Sequence, residues 1–137
     1  MAIFTLDTSC MVAAVSTWHE HHAASASEIN RRLSRGERLA AAAPALVEAY
    51  AVLTRLPAPH RLSPGDAWAL VEANFVQGIN VVALPGTVYL ALLRRAARQG
   101  TAGGRAYDVV IAECAFEREQ PRCSRSIAAT SNRRRGA

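Results

Sequence analysis

Short apolar runs alternate with longer segments of mixed polarity along the chain. Three mostly apolar runs, at residues 3–6, 39–43 and 79–84, have the length of β-strands and are too short to span a membrane. Nearly continuous apolar runs of this kind are typical of parallel strands that are covered on both faces. The pattern therefore predicts three buried strands.

The segments between these runs carry residues that start and stop helices. Pro44 suits the first turn of a helix, and Ser63 and Thr87 are candidate capping residues. Gly36 and Gly100 suit the ends of two helices. Helices are predicted at residues 8–15, 19–35, 44–55, 63–75, 87–98 and 107–112.

Each predicted strand is followed by at least one helix before the next strand begins. This order predicts an α/β fold, with a parallel sheet flanked by helices on both faces. The length of 137 residues fits one domain with one core, and half of the residues are hydrophobic. We expect the domain to occupy residues 1–120 and a basic, atypical tail to occupy residues 121–137.

The net charge of +5 is concentrated at the C-terminus. All 16 basic residues are arginines. Residues 1–117 contain ten arginines and ten acidic residues, whereas residues 118–137 contain six arginines and one acid, Glu119. A basic segment attracts polyanions such as RNA, and it is also typical of a solvated terminus. Composition alone leaves both interpretations open.

No segment indicates export or insertion into a membrane. The N-terminus lacks the basic and apolar regions of a signal peptide, and no apolar stretch reaches the roughly 18 residues that a membrane helix needs. The three cysteines, Cys10, Cys114 and Cys123, have no CxxC spacing and fit reduced thiols. We therefore expect a cytoplasmic protein that does not contact a membrane.

Three carboxylates occupy positions where an acid is unusual. Asp7 follows the first apolar run, Glu48 lies one turn into the helix after the second run, and Asp108 opens a helix after a glycine pair. Ligands of open parallel sheets bind beyond the carboxyl ends of the strands, so these three acids can meet there. An acid among apolar neighbours is costly unless it is paired or bound to a metal, and no arginine is local to Asp7 or Glu48.

Three carboxylates without a histidine or cysteine ligand motif favour a hard cation, Mg²⁺ or Mn²⁺. Such an ion lowers the pKa of its bound water, holds a phosphate oxygen and neutralises charge that develops in phosphoryl hydrolysis. Helix capping explains Asp108 nearly as well, and Asp7 can cap a helix too. The histidines are interpreted as surface residues rather than as metal ligands: His19, His21, His22 and His60.

Three stretches of the chain, taken together and in order, resemble the PIN-domain family. Residues 3–9, IFTLDTS, resemble the opening strand and the DTS or DSS signature of that family. Residues 44–55, PALVEAYAVLTR, are similar to the helix that carries its second acid. Residues 103–112, GGRAYDVVIA, are similar to the helix that carries its third acid. The resemblance covers about residues 1–117.

The resemblance implies a VapC-type endoribonuclease, the toxin of a VapBC toxin–antitoxin pair, which cleaves RNA and blocks translation. It implies that Asp7, Glu48 and Asp108 bind Mg²⁺, and that a partner VapB-type antitoxin inhibits the enzyme. Arginine contacts would position the RNA backbone. The alternative is a catalytically weak PIN-like domain that binds the antitoxin or nucleic acid. Mg²⁺-dependent RNA cleavage that disappears in Asp7→Ala would distinguish the two.

We expect this protein to associate with other chains, because it has more apolar surface than one small core needs. Trp68, Phe75 and the alanine-rich helices suggest such a surface, although a buried Trp68 is the plainer interpretation. Together with the resemblance, they predict a homodimer that also accepts an antitoxin segment in a groove near the acids.

The C-terminus departs from the family pattern. The family continues with an apolar strand and a T-x-N or T-x-D motif that completes the acidic site. Residues 122–126 are polar where that strand is expected, and Thr130-Ser131-Asn132 resembles the motif but comes several residues late. We predict that residues after about 120 are loosely held and add salt-dependent RNA affinity. The competing hypothesis is that Asn132 folds back as a fourth ligand.

Overall fold

The computed structural model describes the backbone of residues 2–119 and the burial of side chains up to residue 116. The predicted tail, 121–137, therefore lies outside the described residues, as do Cys123 and Asn132. The elements follow in the order β1 (Ile3–Phe4), α1 (Thr8–Val15), α2 (His22–Ser34), β2 (Arg38–Ala42), α3 (Ala43–Arg55), α4 (Pro64–Phe75), β3 (Asn80–Val82), α5 (Gly86–Gln99) and α6 (Arg105–Glu119).

The three strands form one parallel sheet in the order β1-β2-β3. Ile3 pairs with Arg38 in the first ladder, and Ala40 pairs with Asn80 in the second. All three strands lie where the apolar runs predicted them; β1 and β3 are shorter than predicted, and β2 has the predicted length but begins one residue earlier. The predicted α/β class with a parallel sheet is confirmed.

Helices cover both faces of this sheet. Successive residues of a strand point to opposite faces, and Ala40, Ala41 and Ala42 of β2 are all fully buried. β2 contacts α2, α3 and α6, and α6 also packs against β1 and β3. Alanine in the central strand lets these helices approach closely, so the core forms around β2. Among its largest fully buried side chains are Met11, Leu53, Val71 and Cys114.

Two helix starts follow the expected capping chemistry. The Ser63 hydroxyl accepts a hydrogen bond from the Asp66 N–H at 3.2 Å, and Pro44 lies in the first turn of α3. Three other starts differ from prediction. α6 begins at Arg105 rather than at residue 107, and Pro85, not Thr87, is the N-cap of α5. α2 begins at His22 rather than at His19. Its N-cap residue, His21, makes no side-chain capping bond, so the first residues of the predicted helix form turns instead.

Trp68 and Phe75, the two aromatic residues of α4, were both predicted to supply apolar surface for association, but only one of them is exposed. Phe75 is only 3% exposed and belongs to the core, because it lies on the same face of the helix as Val71. It therefore supplies no surface for association. Trp68, by contrast, is 46% exposed.

Among residues 2–119, no helix has both the length and the apolar character needed to cross a membrane.

Candidate active site

Asp7 lies just beyond the carboxyl end of β1 and caps α1. Its Oδ1 accepts a hydrogen bond from the Cys10 N–H at 2.7 Å and a longer one from the Ser9 hydroxyl at 3.4 Å. The side chain is exposed, and Oδ2 has no hydrogen-bond partner within the described part of the chain. Capping therefore occupies one carboxylate oxygen and leaves the other open to a ligand.

Glu48 lies one turn into α3, which begins directly after β2. α3 buries Ala45, Ala49 and Leu53 in the core, whereas Glu48 is half-buried beside α1. The hydroxyl of Thr8 donates a hydrogen bond to Glu48 Oε2 at 3.0 Å across 40 residues of sequence. Because Thr8 follows Asp7 in the chain, this bond brings the first two predicted site residues to the same edge of the sheet.

Asp108 lies in the first turn of α6 and is exposed. The Thr5 hydroxyl donates to the Ile111 carbonyl oxygen at 3.3 Å, which fixes α6 against β1 one turn beyond Asp108. The Asp108 side chain has no hydrogen bond or ion pair with residues 2–119. Within the same residues, no three His, Cys, Asp or Glu side chains are close enough together to hold a metal ion. The structure thus joins Asp7 and Glu48 through Thr8 and does not group Asp108 with them.

The chemistry of these carboxylates fits a hard divalent cation. The ion pairs in the described region involve other acids, Glu20, Glu28 and Glu37, so no arginine or histidine compensates Asp7 or Glu48. Oxygen-only ligands with uncompensated negative charge suit Mg²⁺ better than a soft transition metal.

Cys10 lies in the first turns of α1, three residues after Asp7. Burial raises the pKa of the Cys10 thiol above its ordinary value. A hydrogen bond with Ser25 lowers this pKa, and the carboxylates of Asp7 and Glu28 raise it further. The protonated thiol is a poor nucleophile and a poor metal ligand. The Cys10 thiol is therefore a weak candidate for chemistry at this site.

A cavity of about 370 Å³ opens beside Glu48, and we call it the Trp18 cavity. Trp18 and His19 line it from the turn after α1. The indole of Trp18 stacks on the imidazole of His60, with ring centroids 4.0 Å apart and planes 17° from parallel. His19 and His60 are half-buried here, so they are less exposed than the sequence-based interpretation of both as surface residues implied. The aromatic residues within the polar run 16–22 were the one sequence signal that could have indicated this cluster.

Comparison with known proteins identifies the family of the chain. The PIN domain family model matches residues 4–133. Two curated relatives, both Ribonuclease VapC40 from Mycobacterium tuberculosis strains CDC 1551 / Oshkosh and ATCC 25618 / H37Rv, are 40% identical over 105 residues, which is 77% of this chain and 72% of each relative. No solved structure gives a significant match. The chain therefore belongs to the PIN-domain family and, within it, to the VapC type.

Proposed function

We propose that this chain is the ribonuclease toxin of a VapBC-type pair, an endoribonuclease that hydrolyses RNA phosphodiester bonds and thereby blocks translation. The observation that carries the proposal is the hydrogen bond from Thr8 to Glu48, which puts Glu48 beside the residue that follows Asp7. The relatives at 40% identity are named ribonucleases, which supports RNA as the substrate. Such a substrate also favours a cytoplasmic location.

In this proposal Asp7, Glu48 and Asp108 hold Mg²⁺, or Mn²⁺ in its place. Asp7 Oδ2 and Glu48 Oε1 have no hydrogen-bond partner among the described residues, so each is available as a ligand. The bound cation would supply Lewis acidity, which activates water and offsets the charge that develops on the phosphate. Asp108 would complete the site from the first turn of α6.

The protein's own contribution is to orient the carboxylates before RNA binds. The Cys10 N–H fixes Asp7 Oδ1, and the Thr8 hydroxyl fixes Glu48 Oε2. Ligands held by such contacts lose little freedom when they bind, which favours both affinity and rate. Arginine side chains would hold the RNA backbone through its phosphates.

The test separates the two roles of Asp7. Asp7→Asn keeps a good capping side chain and removes the charge, whereas Asp7→Ala removes both and should cost about 1 kcal/mol of stability. We expect Asp7→Asn to abolish Mg²⁺-dependent RNA cleavage at an unchanged melting temperature.

Asp108→Asn should remove most Mg²⁺ binding in calorimetry, because one charged ligand is lost from a site of three.

Asp66→Asn is the matched control, because Asp66 is also an exposed acid in the first turn of a helix. It should cleave RNA like the unmodified chain. Full cleavage by Asp7→Asn, or unchanged Mg²⁺ affinity in Asp108→Asn, would contradict the assignment. A chain that binds RNA or antitoxin but cleaves nothing would favour the alternative of a catalytically weak binding module.

We further propose a VapB-type antitoxin and a second copy of this chain as protein partners. α5 and α6 together expose Leu90, Leu93, Tyr107 and Phe116, each by half or more. Exposed apolar side chains on two helices that contact each other are typical of an interface, and two copies related by a twofold axis would cover them. The antitoxin segment is expected in a groove near the acids. Light scattering on the full chain should give the mass of a dimer, and a monomer both alone and with antitoxin would contradict it.

A further inference from the structure

The Trp18 cavity lies directly against Glu48, one of the three candidate catalytic carboxylates. Thr8 and Glu48, which share a hydrogen bond, form its polar end. Val12 of α1 and Val52 of α3 contribute apolar side chains. A volume of about 370 Å³ is at the small end of the range for small-molecule sites. The cavity therefore has room for one flat group of modest size rather than for a longer segment.

Trp18 gives this cavity an aromatic wall that is held in place. The indole remains 46% exposed although it is stacked on His60, which lies in the loop between α3 and α4. His60 stacks on one face of the indole, and the ring of His19 lies tilted by 48° with its centroid 5.6 Å from that of Trp18. The His60 stack restricts the orientation of Trp18, so a ligand that packs on Trp18 pays little in side-chain ordering.

His19 gives the same cavity a hydrogen-bond donor. The His21 N–H donates to His19 Nδ1 at 3.0 Å, so in the neutral ring the proton is on Nε2. The cavity thus combines an aromatic wall, an apolar floor and a polar rim. Flat heteroaromatic rings with polar edges match this combination.

We propose that the Trp18 cavity is a nucleobase subsite, which takes one unstacked base of single-stranded RNA next to the phosphate held at the carboxylates. The inference rests on the proposed ribonuclease function and adds to it a contact with the base. Proteins that bind single-stranded RNA commonly stack unpaired bases on aromatic side chains, and each such base contributes measurably to affinity. Because Glu48 lies in the wall of the cavity, the bound base would belong to a nucleotide near the scissile phosphate.

The experiment measures RNA binding by the full chain without divalent cation, so that cleavage plays no part. The probes are oligouridine and an abasic ribose-phosphate chain of the same length. Trp18→Ala should weaken oligouridine binding about fivefold or more, Trp18→Phe should weaken it less, and neither should change binding of the abasic chain. Trp68→Ala is the matched control, because Trp68 is equally exposed and lies on α4 outside the cavity; it should bind both probes normally.

A second measurement does not depend on how well Trp18→Ala folds. Trp18 and Trp68 are the two tryptophans of the chain, so Trp68→Phe leaves Trp18 as its only source of tryptophan fluorescence. Oligouridine should quench that fluorescence, and the abasic chain should not. An absence of quenching, or equal losses of oligouridine affinity in Trp18→Ala and Trp68→Ala, would overturn the subsite. So would a Trp18→Ala variant that loses affinity for antitoxin but not for oligouridine.

Different experimental results would contradict the subsite and the proposed function. RNA cleavage is measured separately, with Mg²⁺ and the unmodified chain. A chain that binds oligouridine through Trp18 but does not cleave RNA contradicts the ribonuclease proposal and leaves the base contact standing. A chain that cleaves RNA with no dependence of affinity on Trp18 contradicts the subsite alone.

Discussion

Thr8 is the residue on which the geometry of the candidate site depends most. Thr8 is nearly buried at the start of α1, and its hydroxyl donates a hydrogen bond to Glu48 on α3. The residue before it, Asp7, caps α1. A half-buried glutamate without a cationic partner needs such a donor to keep one orientation. Residues that hold a metal ligand by a hydrogen bond typically affect metal affinity nearly as strongly as the ligands themselves.

We expect Thr8→Val to keep the fold and to weaken Mg²⁺ binding about tenfold or more, because Glu48 loses the contact that orients it. Thr8→Ser is the matched control, because it keeps the hydroxyl and loses only a methyl group. Calorimetry with Mg²⁺ measures the difference between the two variants. Equal Mg²⁺ affinities of Thr8→Val and the unmodified chain would show that the hydrogen bond has no part in the site.

The sequence could indicate the positions of Asp7 and Glu48 because both follow from where a strand ends. It could not indicate Thr8 as their link, since nothing local to residue 8 shows that Glu48 lies beside it 40 residues later. The stack of Trp18 on His60 was missed for the same reason. The joint role of Asp7, Glu48 and Asp108 in metal binding stays a prediction.

At the scale of elements, the sequence predicted which segments form helices and strands better than where they begin. Ser63 and Pro64 define the start of α4 because their effects on the backbone are local. α2 began later than predicted because its polar first turn lacks a capping side chain and packs no residue into the core. Instead, α2 carries ion pairs: Glu28 binds Arg31 at 2.7 Å and Arg32 at 2.8 Å.

These ion pairs predict a dependence of stability on acid pH. Hydrogen bonds from Arg31 and Arg32 lower the pKa of Glu28 from 4.5 to about 2. Because the folded-state pKa is depressed, the stabilising contribution is complete above pH 4.5 and is lost as the pH falls towards 2. The contribution is modest, since the pair is half-exposed.

The difference in melting temperature between the unmodified chain and Glu28→Gln should therefore shrink between pH 5 and pH 2. The titration of the Glu28 carboxyl carbon, followed by NMR, gives the pKa directly. A Glu28 carboxyl that titrates near 4.5 in the folded protein would contradict the prediction, and so would a melting difference that does not change with pH.

At the scale of the whole molecule, the parallel order of the sheet determines where chemistry can occur. β1 and β2 are neighbours and run in the same direction, so the residues after their carboxyl ends, Asp7 and Glu48, emerge at one edge. This arrangement followed from the alternation of strands and helices in the sequence. The apolar surface of α5 and α6 could not be predicted from this alternation, because it depends on which helix faces remain uncovered once the core has formed.

The distribution of charge over the whole chain gives the last prediction. Residues 1–117 are balanced, whereas the segment 122–137, which lies outside the described residues, contains five arginines and no acid. If these arginines contact phosphates, each contact releases condensed cations and adds a slope of about −0.7 to the dependence of log affinity on log salt for single-stranded RNA. Deleting residues 122–137 should then flatten that slope and leave Mg²⁺ affinity nearly unchanged.

The competing hypothesis gives Asn132 of the same segment a role as a ligand, in the manner of the family motif that Thr130-Ser131-Asn132 resembles. Asn132→Ala would then weaken Mg²⁺ binding and cleavage with little change in the salt slope, because an amide carries no charge. We favour the electrostatic role, because the apolar run that should precede such a ligand is absent from residues 122–126. A loss of Mg²⁺ affinity in Asn132→Ala as large as that in Asp108→Asn would decide for the ligand, since removing an uncharged side chain cannot alter counterion release.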